Sequence, residues 1–295
     1  MVLLLTLAAA VTSQVPGSSV DVAYAGSLVT SMERSIGPAF MRSCGCTYHG
    51  EGKGSVALAN LIASGLKNPD VFVSANPRLL DGLLHPKTSA PLIRWYATFG
   101  AARVVIGYST KSRFGALFAR AARGEITLAD VLETPGLRIG RTDPQLDPKG
   151  SLTLLAMQRL SRHFHDAALL NLVAPAQNAG QIFPEEDLLV RLESGDLDVA
   201  FLYSTESQSR HIPALELPAD SSVKVDYALT ILDHASNKPG AAAFVRFILT
   251  GPGARMLQQA GLTLIKPVIE GDSHAAAAVI SGANLTENRA SASPQ

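Results

Sequence analysis

The chain has 295 residues, enough for one large domain or two of moderate size, and 47% of them are hydrophobic, so a substantial core is possible. The chain has 25 basic residues (Lys and Arg) and 25 acidic residues (Asp and Glu), so its formal net charge is zero. This balance argues against binding to nucleic acid or to an anionic membrane through bulk charge. A site for an anion would therefore have to be local, built from dipoles or from a few side chains.

The chain begins with an apolar run, and residues 1–17 are typical of a secretory signal followed by small residues for cleavage. The run is too short to span a bilayer, and it lacks the usual basic residues at its start. An export signal is the favoured interpretation, and an ordinary buried segment is the alternative. No cysteine follows the run, which argues against a lipid-anchored form.

Hydrophobic periodicity predicts strands and helices in alternation. The predicted strands are 20–24, 71–74, 103–108, 137–140, 198–203 and 227–232. The predicted helices are 28–40, 56–66, 77–84, 152–164, 187–193 and 240–249. This alternation predicts an α/β fold with a mainly parallel sheet, in which ligands bind at the carboxyl ends of the strands. The last stretch is rich in Ala, Ser, Asn and Pro and is predicted to be a loose tail.

Two serines begin predicted helices at glycine-containing turns. Ser27 follows Ala25 and Gly26, and Ser55 follows the glycine-rich segment 50–54. Serine is a preferred helix cap, but a hydroxyl beside free helix N–H groups also holds anions. The glycine spacing before Ser55 does not match a Walker A loop, which argues against a nucleoside triphosphatase.

The only two cysteines, Cys44 and Cys46, are separated by one residue. A disulfide is possible in an exported protein, although a Cys-x-Cys ring is tight. A metal site would need more ligands than the nearby His49. The sequence leaves open whether the two cysteines pair.

The segment from Gly140 to Gly150 reads Gly-Arg-Thr-Asp-Pro-Gln-Leu-Asp-Pro-Lys-Gly. Proline biases the preceding residue towards extended backbone, so Asp143 and Asp147 both lie in a stiff loop. A turn and a helix cap would explain these residue types. A polar loop between regular elements is also a common place for binding residues.

Further along the chain, Glu185 and Glu186 precede a predicted helix, and Tyr203 ends a predicted strand. The acids would complement the helix dipole, and the tyrosine would suit a sheet edge or donate a hydrogen bond to a ligand oxygen. Carboxylates repel an oxyanion. That conflict disappears if the central atom of the anion accepts carboxylate oxygens as ligands, as molybdenum and tungsten do and sulfur does not.

The sequence contains no convincing catalytic constellation. His163 and His165 are two positions apart and point to different faces of a helix, which argues against a shared metal. Neither a Ser–His–Asp order nor a His-Glu-x-x-His motif stands out, so we expect no catalytic residues and no enzyme activity. The remaining enzymatic alternative would use Asp147 or Glu185 as a general base.

Taken in order over roughly residues 20–265, several segments resemble the substrate-binding proteins of molybdate and tungstate ABC transporters, in particular the WtpA or archaeal ModA-like group. The Asp-Pro-x-x-Asp-Pro loop is the most specific of them. The matching segments are 25–28, 54–56, 70–75, 140–150, 184–188, 192–198 and 200–204.

This resemblance implies a type II periplasmic binding protein, with two α/β lobes joined by two crossover strands and a ligand cleft between them. The crossover strands would be Val104 to Tyr108 and Val225 to Leu229. Residues 18–105 and 225–270 would form lobe one, residues 106–224 lobe two, and residues 271–295 a flexible tail.

The resemblance also implies an exported, soluble, monomeric receptor that captures molybdate or tungstate and delivers it to an ABC permease, without a cofactor. The anion would be held from lobe one by Ser27 and Ser55. From lobe two it would be held by the loop that contains Asp147 and Lys149, and by Tyr203. By position, Asp147 and Glu185 match the carboxylates that complete a six-coordinate metal centre, and Asp143 would brace the loop.

The chain departs from the family pattern at three places: Ser151 replaces an aromatic residue, Ser-Thr-Glu-Ser follows Tyr203, and the region between Phe164 and Pro184 is short. Glu186 would then be an alternative ligand to Glu185, or the anion would stay four-coordinate. A receptor for sulfate, phosphate or an organic acid is the alternative function. The sequence does not rank tungstate against molybdate.

Overall fold

A computed structural model describes residues 19–87 and 89–282, without the side chain of Glu186. The predicted export signal at residues 1–17 and residues 283–295 of the predicted tail lie outside the described residues. No helix in the described ranges is long and apolar enough to cross a membrane.

The described strands form one nine-stranded sheet. Across the sheet the order is β2-β1-β3-β8-β4-β6-β5, and β7 and β9 pair with β4. The strands are β1 (Ser19–Ala25), β2 (Thr47–Lys53), β3 (Val71–Ser74), β4 (Trp95–Tyr108), β5 (Ile139–Gly140), β6 (Val199–Tyr203), β7 (Ala214–Glu216), β8 (Lys224–Ile231) and β9 (Thr263–Gly271).

Helices cover both faces of this sheet. The α-helices are α1 (Val29–Ser31), α2 (Gly37–Cys44), α3 (Ser55–Ala63), α4 (Pro77–Leu84), α5 (Gly115–Ala122), α6 (Leu128–Leu132), α7 (Pro148–His163), α8 (Ala168–Asn171), α9 (Glu185–Ser194), α10 (Ser204–Ser209), α11 (Lys238–Leu249), α12 (Pro252–Gln259) and α13 (Ser273–Ser281). Short 3-10 turns lie at Gly26–Leu28 and Ala219–Ser221. The predicted helix 28–40 is interrupted by a π-helical turn, Met32–Ile36, just before Pro38, which has no N–H to continue the regular bonding pattern.

The sheet is mixed, so the expectation of a mainly parallel sheet is wrong. β1 runs parallel to β2 and β3, and β5 runs parallel to β6. In contrast, β4 is antiparallel to β6, β7, β8 and β9, and β8 is antiparallel to β3. The strand–helix alternation that predicts parallel pairing holds in the outer parts of the sheet. It fails in the middle, where the long strands β4 and β8 pair antiparallel although the whole second lobe lies between them in the chain.

The long strand β4 connects the two parts of the molecule. Residues 97–103 of β4 pair with β8, whereas residues 104–108 pair with β6 and β7. The strands predicted to cross between the lobes therefore lie in β4 and β8. We refer to β1–β3 with their helices as the first lobe and to β5–β7 with theirs as the second lobe; the exact bounds of the lobes stay a prediction.

The core explains why the central strands are apolar along their whole length. All four residues of β3 and all five of β6 are buried, as expected for strands covered by helices on both faces. Aromatic side chains fill the space between sheet and helices, including Phe72, Phe201 and Phe244. These rigid strands fix the positions of the residues that follow their carboxyl ends.

Residues 271–282 are ordered, so the expectation of a flexible tail is wrong for them. Asp272 caps α13 by accepting a hydrogen bond from Ala275 N at 2.9 Å. The helix packs on α11, where Arg246 Nη1 donates to Val279 O at 3.0 Å and Ala276 is fully buried. Alanine favours helix when a partner surface is available, and the sequence alone did not reveal that surface.

Cys44 and Cys46 form a disulfide, which answers a question that the sequence left open. The bridge spans Gly45, whose φ of 64° lies in the left-handed region that glycine adopts without strain. His49 lies against Asp21, with 2.9 Å between Nδ1 and Oδ1. The disulfide therefore closes the turn between α2 and β2.

Candidate functional site

The two aspartates of the loop between β5 and α7 are both used to shape it. Asp143 Oδ1 accepts a hydrogen bond from Gln145 N at 2.7 Å, as expected for a residue that braces the loop. Asp147 Oδ1 accepts one from Lys149 N at 2.8 Å and so caps α7. The same aspartate is almost fully buried. Capping and burial together fix the carboxylate of Asp147 in one orientation.

A glycine and a serine let this loop fold tightly onto the first turn of α7. A Cβ on Gly150 would lie 2.5 to 2.6 Å from backbone atoms of Thr142, Asp143 and Pro144, so only glycine fits. Ser151 Oγ donates to Pro144 O at 2.8 Å. The serine that replaces the family's aromatic residue therefore stabilises the loop.

The two predicted serines lie at the carboxyl ends of the parallel strands β1 and β2. Ser27 is buried in the 3-10 turn after β1, and its Oγ is 2.8 Å from the hydroxyl oxygen of Tyr227. Ser55 is the first residue of α3, and its Oγ accepts a hydrogen bond from Ala75 N at 3.0 Å. That bond uses an acceptor position, so the hydroxyl hydrogen of Ser55 stays available for donation to a ligand.

Lys149, Glu185 and Glu206 form a buried ion cluster in the second lobe, which we call the acid–lysine cluster. Lys149 Nζ donates to Glu185 Oε1 at 3.1 Å and to Glu206 Oε1 at 2.6 Å. The side-chain exposures of the three residues are 0%, 6% and 2%. The ammonium group of Lys149 is therefore already paired with the carboxyl groups of two glutamates, and the prediction of an anion contact in this loop rests on backbone N–H groups near Lys149.

Tyr203 brings an unsatisfied hydroxyl to the same place. Its ring lies beneath Lys149, with Nζ 5.5 Å from the ring centroid. The hydroxyl group of Tyr203 is buried and has no hydrogen-bond partner among the described residues. A buried polar group without a partner is costly, so an oxygen-rich ligand at this position would relieve that cost.

The pKa values of the cluster reflect burial and crowding of acids. Burial raises the pKa of Glu185 to about 8, and the charge of Asp147 adds to the effect against the attraction of Lys149. Burial also raises the pKa of Glu206 to about 8. Burial would lower the pKa of Lys149, but the surrounding acids outweigh it and raise that pKa. Lys149 therefore keeps its proton, and burial makes both glutamates easier to protonate than exposed ones.

Two glycines of the first lobe meet the acidic wall of the second. A Cβ on Gly26 would lie 2.6 Å from Glu185 Oε2, and a Cβ on Gly54 would lie 2.6 Å from the backbone oxygen of Leu146. Beside these contacts lies a cavity of about 270 Å³. It is lined in part by Gly54, Thr142, Leu146, Asp147, Phe183 and Glu185. The two lobes are thus closed on each other at the candidate site.

The structure brings the six predicted site residues into one region. Tyr227, the partner of Ser27, has its ring 6.4 Å from that of Tyr203, and a Cβ on Gly54, next to Ser55, would lie 3.5 Å from Asp147 Cβ. Their roles towards a ligand stay predictions. The side chain of Glu186, the alternative to Glu185, lies outside the described residues.

Sequence reasoning missed three residues of this region: Thr205, Glu206 and Tyr227. Glu206 is three residues after the end of β6, and its Oε2 accepts a hydrogen bond from Tyr203 N at 2.7 Å. A carboxylate three residues after a strand end is a recognisable sign of a helix start. The short helix α10 was not predicted, so this sign was not used.

Within the described ranges, no group of three or more His, Cys, Asp or Glu residues is arranged to hold a metal ion. The acids of the site are instead organised by a lysine. The arrangement combines hydroxyl groups from both lobes with buried carboxyl groups, and it suits an oxygen-rich ligand.

The chain matches a known protein family. A family model described as bacterial extracellular solute-binding protein matches residues 20–263. A Haloferax volcanii protein named as an ABC transporter molybdenum-binding protein is 32% identical over 207 residues, which is 70% of this chain and 61% of that relative. The molybdate/tungstate-binding protein WtpA of Pyrococcus abyssi is 19% identical over 269 residues. The match covers 76% of this chain and 76% of that protein.

Among solved structures, the Azotobacter vinelandii periplasmic molybdate-binding protein superposes with a TM-score of 0.65 at 19% identity, covering 83% of this chain and 99% of that one. At this identity the likeness shows the fold, and it confirms the expectation of two α/β lobes of the periplasmic binding protein type.

Proposed function

Because the chain belongs to the family of bacterial extracellular solute-binding proteins, we propose that it captures molybdate or tungstate outside the cytoplasm and delivers the anion to an ABC permease. The names of the Haloferax and Pyrococcus relatives support this ligand class. Relatives of this kind carry solutes for transport, and we expect the anion to be released unchanged.

The observation that carries the proposal is that buried carboxyl groups and a buried hydroxyl without a partner lie in the same region. Asp147 and Glu185 lie in the same closed site as the unpartnered hydroxyl of Tyr203. Donors alone would suit any oxyanion, but carboxylates repel sulfate and phosphate. Molybdenum and tungsten accept additional oxygen ligands, so for them a carboxylate is an attractive contact.

Each residue then has a specific role. Ser27 and Ser55 position two oxygens of the anion from the first lobe, and Tyr203 donates a hydrogen bond to a third from the second lobe. Asp147 and Glu185 provide oxygens to the metal atom of the cargo. Closure of the lobes removes water from the anion and shifts the population from open to closed protein.

Calorimetric titration with tungstate, molybdate and sulfate tests this function. We expect binding of one tungstate or molybdate per chain and sulfate binding weaker by at least about a hundredfold, equivalent to about 2.7 kcal/mol. The element retained by the purified protein, identified by mass spectrometry, gives an independent readout. Sulfate binding equal to tungstate binding would contradict the proposal and favour a general anion receptor.

An Asp147→Ala variant tests the carboxylate contact. Loss of the capping oxygen costs about 1 kcal/mol of stability, so folding should survive. Tungstate affinity should fall by at least about tenfold, since a ligand to the metal atom is lost. Unchanged tungstate affinity would remove Asp147 from the site. The matched control is Asp143→Ala, which removes the carboxylate that braces the loop through Gln145 N.

A further inference from the structure

The lysine of the acid–lysine cluster is the group that a plain oxyanion would be expected to use. An ammonium group has three donors, and two of those of Lys149 are directed at Glu185 and Glu206. The side chain is 0% exposed and lies over the ring of Tyr203. The lysine is therefore held inside the wall of the second lobe.

Glu206 is attached to this wall by both of its carboxylate oxygens. Oε1 accepts from Lys149 Nζ at 2.6 Å, and Oε2 accepts from Tyr203 N at 2.7 Å. Each of these groups, a buried ammonium and a backbone N–H, is a typical partner of sulfate or phosphate oxygens. Glu206 thus satisfies, with one side chain, two donors that a bound oxyanion would otherwise satisfy.

Glu185 differs from Glu206 in this respect. Its Oε1 also accepts from Lys149, but its Oε2 is directed across the lobe boundary towards Gly26. Glu185 therefore presents an oxygen to the cleft, whereas Glu206 has both oxygens bound to groups of its own lobe.

We propose that Glu206 is a specificity-determining residue, whose carboxyl oxygens occupy donors of the Lys149 ammonium and the backbone N–H of Tyr203 and so exclude oxyanions such as sulfate, whose central atom accepts no further ligand. This inference rests on the proposed function. With those donors occupied, sulfate meets carboxylates without a free cation. An oxyanion whose metal atom accepts carboxylate oxygens does not need the lysine, so it still binds.

A Glu206→Ala variant tests the idea by a gain of binding. Removal of the carboxylate frees the ammonium of Lys149, so sulfate affinity should rise by at least about tenfold, while tungstate affinity changes by less than about threefold. If the role of Glu206 were purely structural, the substitution would instead lower the affinities for sulfate and tungstate together. Glu206→Gln keeps most of the volume and one of the two hydrogen bonds, so it should give an intermediate gain.

The double variant Lys149→Met with Glu206→Ala shows whether the gain depends on the lysine, since sulfate affinity should then return to the wild-type value. The matched control is Glu193→Ala, a second-lobe glutamate that pairs with Arg210 at 2.7 Å instead of with the cluster. Thermal unfolding of each variant checks that it is folded. If Glu206→Ala does not fold, the sulfate affinity of Glu206→Gln decides.

The outcomes separate the two proposals. Wild-type protein that binds tungstate, together with Glu206 variants whose sulfate affinity is unchanged, would overturn only the role of Glu206. A sulfate gain that persists without Lys149 would also overturn it. Wild-type protein that binds neither tungstate nor molybdate would overturn the proposed function itself.

Discussion

At the scale of single residues, the site uses side chains that also have ordinary structural work. Asp147 caps α7, and Ser55 accepts a backbone hydrogen bond. For each, a structural role and a binding role are compatible, because a capped or bonded side chain has a fixed orientation and loses less entropy when a ligand binds. In contrast, the side-chain hydroxyl of Tyr203 has no hydrogen-bond partner in the described part of the chain.

Tyr203→Phe should therefore separate binding from stability. Removal of a buried hydroxyl without a partner should leave the ligand-free protein equally stable or more stable by up to about 1 kcal/mol. Tungstate affinity should fall by about tenfold, because a ligand oxygen loses its donor. Chemical denaturation and calorimetry measure the two effects.

The matched control is Tyr24→Phe, which removes a buried hydroxyl that donates to Glu33 in the first lobe. It should lower stability and leave tungstate affinity unchanged. A Tyr203→Phe variant with full affinity would show that the hydroxyl does not contact the anion.

At the scale of elements, the site depends on strands that are held in place, and one buried acid anchors β6 of the second lobe at its amino end, opposite Tyr203. Asp198 precedes β6 and accepts hydrogen bonds from Ser112 Oγ at 2.7 Å and from Arg138 N at 2.9 Å, with an ion pair to the Arg138 side chain. Burial alone would raise its pKa, but these donors outweigh burial and lower the pKa of Asp198 to about 2.

Asp198→Asn should lower the free energy of unfolding at pH 7 by about 2 kcal/mol. Because the pKa is lower in the folded state, the stabilisation by Asp198 is complete above its ordinary value of 3.8 and is lost as the pH falls towards about 2. The difference between wild type and variant should therefore shrink over that window, as measured by denaturation at several pH values.

The comparison variant is Glu216→Gln, which disrupts the exposed ion pair with Arg103. An exposed pair contributes about 0 to 1 kcal/mol, so this change should be small. An Asp198→Asn variant as stable as wild type at pH 7 would contradict the assigned role.

At the scale of the whole molecule, binding requires the lobes to approach closely, and two glycines make that possible. Gly54 has φ and ψ of −51° and 128°, which alanine adopts freely. Its restriction comes from the second lobe, where the Leu146 carbonyl oxygen would lie 2.6 Å from an added Cβ. The glycine is thus needed for closure rather than for the fold of the first lobe.

Gly54→Ala should hinder closure without unfolding the protein. Tungstate affinity should fall by at least about tenfold. In small-angle X-ray scattering, the variant should contract less on ligand addition than the wild type does. Gly82→Ala is the matched control, because nothing lies within 4 Å of a Cβ at that position of α4. A Gly54→Ala variant that closes and binds normally would contradict this account.

The sequence alone determined some of the elements and the chemistry of the loops, whereas β2, β7, β9 and several short helices were not predicted. The apolar runs of β3 and α4 are local signals, and both elements have the predicted bounds. The helix α7 begins at Pro148, before the predicted 152, because Asp147 of the Asp-Pro step caps it. Local rules bring Ser27 and Ser55 together after the neighbouring strands β1 and β2, and Asp147 and Tyr203 together at the ends of β5 and β6. The two pairs meet because the lobes close on each other.

Only the tertiary structure decided which charges are paired. Lys149 and Glu206 are 57 residues apart, and Lys149 and Glu185 are 36 apart, so no local pattern predicts their contact. The antiparallel middle of the sheet and the packing of α13 on α11 have the same origin, since both depend on surfaces supplied by distant segments. Local periodicity specifies an element, whereas pairing and burial depend on how distant segments pack. That packing buries Lys149 in the second-lobe wall of the site, where it pairs with Glu185 and Glu206.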